Sequence, residues 1–191
     1  MITKRYNSFS DFLKNKFGYK VFKVSLNAGL TCPNRDGTKG TKGCIYCNQQ
    51  PTIPLNYMEG MGIKEQLYNG VEYIRKRHKA EKFIAYFQIS TNTYAPIKEL
   101  EKIYQEGMNH PDVVGMAVST RPDCIDDRVL DILKELSQEK FIWLELGLQS
   151  AHNKTLECIN RQHTVEDFID AIQVIKKRDM PVCAHVVLGL P

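Results

Sequence analysis

The sequence predicts an α/β protein with a parallel sheet covered by helices, and three observations carry that reading. Its candidate strands are near-continuous apolar runs, as expected of strands buried on both faces. They alternate with amphipathic helical stretches, strand then helix four times over with a fifth strand at the end. Successive strands begin near residues 82, 112, 140 and 182, a spacing that suits a (β/α) barrel. Doubly wound sheets share that spacing, so periodicity alone leaves barrel and open sheet both standing.

In chain order, "SFSDFLKNKFG" opens with Ser8 as N-cap and Asp11 three residues on, and sets Phe9, Phe12 and Leu13 on one face of a short helix within residues 1–18. "YKVFKVSLNA" places Val21, Phe22, Val24 and Leu26 among polar residues as a first strand that runs straight into a cysteine-containing loop. "IKEQLYNGVEYIRKRH" spaces Ile63, Leu67, Val71 and Ile74 helically before the apolar strand "KFIAYFQIS". "IKELEKIYQEGM" repeats the helical pattern through Ile97, Leu100, Ile103 and Tyr104, ahead of the strand "DVVGMAVST". Asp126 caps "DDRVLDILKELS", whose buried stripe is Val129, Ile132, Leu133 and Leu136, and the strand "KFIWLELGL" follows. Thr164 and Asp167 hold capping-box positions in "TVEDFIDAIQVIKKR", which precedes the last strand, "PVCAHVVLGL". The chain stops at Pro191 with no helix after that strand, which predicts that residues 1–191 are the N-terminal part of a longer core domain.

At 191 residues, 42% hydrophobic and 25% charged, the chain has the composition of one globular domain. No apolar run follows the N-terminal basic residues, and no uncharged window approaches about 18 residues, so neither a signal peptide nor a membrane helix is expected. A cytoplasmic location follows as the expectation. A net charge of +4, with basic runs at Arg75–Lys79 and Lys176–Arg178, reads first as helix ends whose cations suit the C-terminal dipole.

In a reducing compartment, clustered cysteines point to metal binding or catalysis rather than disulfides. "TCPNRDGTKGTKGCIYCNQQ" holds Cys32, Cys44 and Cys47, with eleven residues in the first gap and two in the second. A structural zinc site wants four ligands, and Cys124, Cys158 and Cys183 lie singly on other elements. Three thiolates from one loop suit a [4Fe–4S] cluster whose fourth iron is left open.

With its closing "CIYC", the loop resembles that of the radical S-adenosylmethionine (SAM) enzymes, although their usual first gap of three residues is widened here. The wide gap, with "NAGLTCPNRDG", "YFQISTNTYAP" and "LELGLQSAHNKTLECINRQHT", is similar to the YhcC/YtqA-type subfamily, related to the Elongator catalytic subunit and oxygen-independent coproporphyrinogen oxidase. The resemblance covers essentially the whole chain. It implies a partial (β/α) barrel of about five parallel strands. It also implies a [4Fe–4S] cluster on Cys32, Cys44 and Cys47, and reductive cleavage of SAM to methionine and a 5′-deoxyadenosyl radical. By motif position, Thr91 corresponds to a contact with the SAM amino group, Gln149 to one with the ribose, and Arg161 to a guanidinium forked onto the carboxylate. Ser119 stands where some relatives carry an acidic ribose ligand, and Tyr46 is a candidate for the adenine edge. The implied partners are an electron donor such as flavodoxin or ferredoxin and a tRNA substrate modified at the wobble uridine; no catalytic side chain is assigned.

The strand ends, Ser90-Thr91-Asn92-Thr93, Ser119-Thr120-Arg121 and Gln149-Ser150, are polar, as a barrel active site requires and as ordinary turns also allow. His185 and Cys183 point to one side of the fifth strand, the first as a hydrogen-bonded histidine and the second as core, and Glu145 faces a barrel lumen. Two rival readings are a zinc-stabilised nucleic-acid-binding module and a barrel without a cluster that serves as an interaction domain.

Overall fold

A computed structural model describes residues 5–47 and 60–191. Helix α1 (Phe9–Phe17) starts at Ser8, whose side chain accepts from the Asp11 amide, and ends at Gly18 in the left-handed conformation. Five strands follow, β1 (Val21–Leu26), β2 (Lys82–Phe87), β3 (Val113–Thr120), β4 (Phe141–Gln149) and β5 (Val182–Val186). Between them run α2 (Ile63–His78), α3 (Ile97–Met108), α4 (Asp127–Leu136), α5 (Asn153–Cys158) and α6 (Val165–Lys176).

All neighbouring strands pair in parallel, in the order β1-β2-β3-β4-β5. This order settles what periodicity leaves open. A doubly wound sheet reverses its strand order at a switch point, whereas here each strand lies beside its sequence neighbour, as in a barrel wound in one direction.

The two faces of the sheet are covered differently. On the outer face Val24, Leu26, Phe83, Phe87, Met116, Val118, Leu144 and Leu146 join Leu67, Leu100, Leu130 and Ile175 of the helices in the main core. On the inner face Val21, Ile84, Ala117 and Trp143 form a smaller core with Leu13 of α1. Phe9 lies 6.0 Å from the Trp143 ring, and Phe17 6.0 Å from Phe141. Full burial of a side chain such as Leu13 or Ile84 stabilises by about 1.5–3 kcal/mol. Because these contacts involve early residues of the strands, α1 fills the N-terminal part of the lumen. The C-terminal part stays open.

The predicted caps form: the Asp126 carboxylate accepts from the amides of Arg128 and Val129, and Thr164 with Asp167 makes a full capping box. The basic run from Arg75 to His78 occupies the last turn of α2, where cations suit the dipole. Two expectations need correction. The last strand ends at Val186 rather than near residue 190, because the chain turns away after the Val187 amide bonds the Gln149 carbonyl. Cys183 is exposed rather than core, since β5 is the outermost strand and its inner face has no cover among the described residues. Among the described residues, no helix is long and apolar enough to cross a membrane.

Candidate cofactor site

The cysteine loop owes its shape to its own backbone and to the segment after α5. The Cys32 carbonyl accepts from the amides of Arg35 and Asp36, the Gly43 amide donates to Asn34, and the Cys47 amide donates to Cys44. Asn34, fully buried, donates through Nδ2 to the Asn160 carbonyl at 2.7 Å, and Asn160 Nδ2 returns a bond to the Gly43 carbonyl at 2.7 Å. The Ile45 amide adds a bond to the Ile159 carbonyl. These ties run from residues 34–45 to residues 159–160, across more than a hundred positions of sequence. They hold the loop over the C-terminal ends of the strands.

There, one cavity of about 250 Å³ is lined by Cys32, Cys44, Cys47, Tyr46, Thr91, Ser119, Gln149 and Arg161, all eight residues singled out from the sequence. Thr91 and Arg161 are buried, Cys32 is partly covered, Cys44 is buried and Cys47 is exposed. Two lining residues that are not glycine take the left-handed backbone conformation, Ser90 three residues beyond β2 (φ 65°) and Gln149 at the end of β4 (φ 70°). Such geometry costs of order 1 kcal/mol and persists where the surroundings impose it.

The charge balance of this cavity is one-sided. Arg35, Arg121 and Arg161 line it, and among its described lining residues there is no carboxylate. Arg35 Nη2 donates to the Cys47 carbonyl at 2.7 Å, and its contact with Cys47 raises the guanidinium's proton affinity despite slight burial. Arg161 Nη1 lies 3.7 Å from Cys44 Sγ, Nη2 donates to the Gly147 carbonyl at 2.8 Å, and Nε donates to His163 Nε2 at 2.8 Å. Burial, followed by the Arg161 charge, pushes the His163 imidazole below its ordinary range. A neutral ring with its proton on Nδ1, facing the Thr164 carbonyl at 3.0 Å, leaves Nε2 free to accept from Arg161. Burial pushes the Tyr46 phenol well above its usual range, so it stays protonated.

Further down the lumen Glu145 is almost fully buried and pairs with Lys23, with Trp143 Nε1 at 2.9 Å and with His185 Nε2 at 2.8 Å. Burial alone would raise its pKa, but His185 and Lys23 outweigh it and hold the carboxyl at about 2. Of this cluster, His185 lines the cavity and Glu145 does not.

Three contributors escape a reading of the motifs. Gly147 is one: a Cβ there would meet the Gln149 amide and stand 2.6 Å from Arg161 Nη2, so any larger residue would push these side chains from their present positions. A glycine inside an apolar strand is the signal that could have marked it. His163 and the Asn34–Asn160 pair carry no local signal, because their partners are remote in sequence.

The donor set suits an anionic polynuclear group. Among the described residues, no group of three His, Cys, Asp or Glu side chains is placed to hold a single metal ion, and the three thiols line one cavity. The guanidiniums of Arg35, Arg121 and Arg161 on the same cavity favour an anionic cluster there.

Comparison with known proteins agrees with this chemistry. The family model described as "Radical SAM superfamily" matches residues 32–191. The chain belongs to the radical SAM superfamily. Radical SAM proteins are enzymes that use a [4Fe–4S] cluster and S-adenosylmethionine. The chain is 39% identical to Protein YhcC of Escherichia coli over 191 residues, covering all of this chain and 60% of YhcC. It is 38% identical to YtqA of Bacillus subtilis over 188 residues, covering 98% of this chain and 58% of YtqA. The chain thus spans less than two thirds of the length of these relatives. A tRNA uridine(34) acetyltransferase of Methanocaldococcus jannaschii is 32% identical over 95 residues, covering 50% of this chain and 17% of that protein. Among solved structures, Elp3 of Methanocaldococcus infernus superposes with a TM-score of 0.61 at 20% identity, covering 90% of this chain and 38% of that one, which shows the shared partial-barrel fold.

Proposed function

We propose that Cys32, Cys44 and Cys47 hold the [4Fe–4S] cluster of this radical SAM protein and leave its fourth iron for S-adenosylmethionine, in an enzyme that modifies the wobble uridine of tRNA. The observation that carries the cofactor half is the gathering of three thiols, three guanidiniums and the polar strand ends on one cavity, with no carboxylate among its described lining residues. Bound there, the cluster and S-adenosylmethionine supply a 5′-deoxyadenosyl radical by reductive cleavage.

Each residue of the chain has a distinct task in this reading. Arg161, fixed by His163 and Gly147, turns its remaining N–H groups to the carboxylate of S-adenosylmethionine, a pairing that a planar guanidinium makes better than an ammonium. Thr91 takes the amino group, Gln149 and Ser119 the ribose, and the neutral Tyr46 packs on adenine. The plug of α1 closes the N-terminal part of the lumen, and the cofactor site lies at the C-terminal ends of the strands. Residues 1–191 then form the N-terminal part of the core domain, acting in the cytoplasm with flavodoxin or ferredoxin as reductant. The tRNA half rests on the partial likeness to a tRNA uridine(34) enzyme and on the net charge of +4.

Anaerobic reconstitution tests the first half: about four irons and four sulfides per chain are expected, lost in Cys44→Ala, with 5′-deoxyadenosine formed after reduction by dithionite. A single zinc without sulfide would refute it. For the second half, nucleoside mass spectrometry of tRNA incubated with the reduced protein should show a change confined to uridine 34.

A further inference from the structure

The cavity that holds the three cysteines is lined by three guanidiniums. Arg161 reaches the Cys44 sulfur, and Arg35 binds the Cys47 backbone within electrostatic reach of all three thiols. The third, Arg121, follows β3 directly, lines the same cavity as Cys32, and is 2% exposed. Its Nε and Nη2 fork onto Asp123 at 2.9 Å each, and Nη2 also donates to the Arg161 carbonyl at 2.9 Å and the Gln162 carbonyl at 3.3 Å. Its Nη1 is buried with no hydrogen-bond partner. Lys39 pairs with the same Asp123, so the fork is tied to the cysteine loop as well.

A buried guanidinium nitrogen with two unused N–H bonds carries an uncompensated desolvation cost unless an acceptor arrives. Everything else about Arg121 is over-determined: four acceptors hold its other two nitrogens, and the Asp123 pairing outweighs burial in keeping it charged. Cys32 lies within electrostatic range of it. A thiol offers little to such a donor. A thiolate offers a strong acceptor, since charge-assisted hydrogen bonds are about twice as strong as neutral ones.

We propose that Arg121 is a positioning residue for the cluster, its Nη1 donating to the Cys32 sulfur once that sulfur is a cluster ligand. The inference rests on the cluster assignment above and assigns a residue that the motifs leave out. Its consequence is electrochemical. Hydrogen bonds and positive charge at cluster sulfurs stabilise the more negative reduced state, so this donor raises the reduction potential. It also couples the cluster to Asp123 and, through the Arg161 and Gln162 carbonyls, to the turn that carries the S-adenosylmethionine arginine.

The test is an EPR-monitored redox titration of the reconstituted intact chain beside Arg121→Lys and Asp123→Asn, with iron and sulfide counted in each. Arg121→Lys keeps the charge and loses the planar fork; its potential should fall below that of the unaltered chain at equal iron content. Asp123→Asn keeps the donor and removes the buried negative charge beside it; its potential should rise. A cluster-loaded Arg121→Lys at the unaltered potential would overturn the proposal. If that variant does not load, an unshifted potential in Asp123→Asn overturns it instead. Failure of the unaltered chain to bind a cluster would sink the cofactor assignment itself, an outcome distinct from both.

Discussion

Arg161 rests on the backbone of Gly147: its Nη2 donates to the Gly147 carbonyl at 2.8 Å, and a Cβ on that glycine would stand 2.6 Å from the same nitrogen. The contact is tighter than any side chain at 147 allows, and it places the guanidinium between β4 and the Cys44 sulfur. The absence of a methyl group at 147 leaves room for the cation where His163 and the Gly147 carbonyl hold it.

Gly147→Ala should displace that guanidinium without removing it. Overpacking at a buried site costs about 1–3 kcal/mol, and the protein should still fold and load iron. Its affinity for S-adenosylmethionine, read by calorimetry on the reconstituted protein, should fall by roughly tenfold or more, the equivalent of one misaligned charge-assisted hydrogen bond. An unchanged affinity would show that Arg161 does not serve the ligand from this position.

The hold on the cysteine loop can be tested from its far end. Asn160 takes a left-handed backbone (φ 54°), donates its amide to the Gly43 carbonyl and offers its own carbonyl to Asn34. Asn160→Ala removes one hydrogen bond and places alanine where asparagine is tolerated better, for a combined loss of about 1–3 kcal/mol. The loop carries Arg35, Lys39 and Lys42. Limited trypsinolysis of the cluster-free protein should cut at these residues several times faster in the variant, while cleavage elsewhere is unchanged. Equal rates would mean that the loop is held by its internal bonds alone.

What the sequence disclosed follows from the range of the interactions involved. Capping by Ser8, Asp126 and Thr164 acts over three residues, and the apolar runs of β2 to β4 act through burial on both faces, so both are visible locally. Barrel and doubly wound sheet differ only in which strands meet, which is a property of the whole chain. Helix α5 spans six residues, too few for a helical period to show. Within the site, the cysteine spacing and the polar strand ends mark the cavity. Arg121, Gly147 and His163 draw their significance from partners brought near by folding, and a single sequence does not display those.

Glu145 offers a test with a definite sign. Its side chain is 1% exposed, and its carboxyl is held at about 2 against an ordinary value of 4.5, with Lys23, His185, Tyr86 and Trp143 facing it. Because the folded value is the lower one, the ionised group stabilises the fold above about pH 4.5, and that contribution is lost as pH falls toward 2. The shift corresponds to stability on the order of 3 kcal/mol. Glu145→Gln should therefore be less stable than the unaltered protein by about that amount near neutrality, and the gap should close on acidification through the window between these two values. Urea unfolding at a series of pH values measures both curves. A gap that stays constant with pH would assign the loss to packing around Trp143 rather than to the charge, and the lumen around Glu145 would then be held by shape and not by its ion pair.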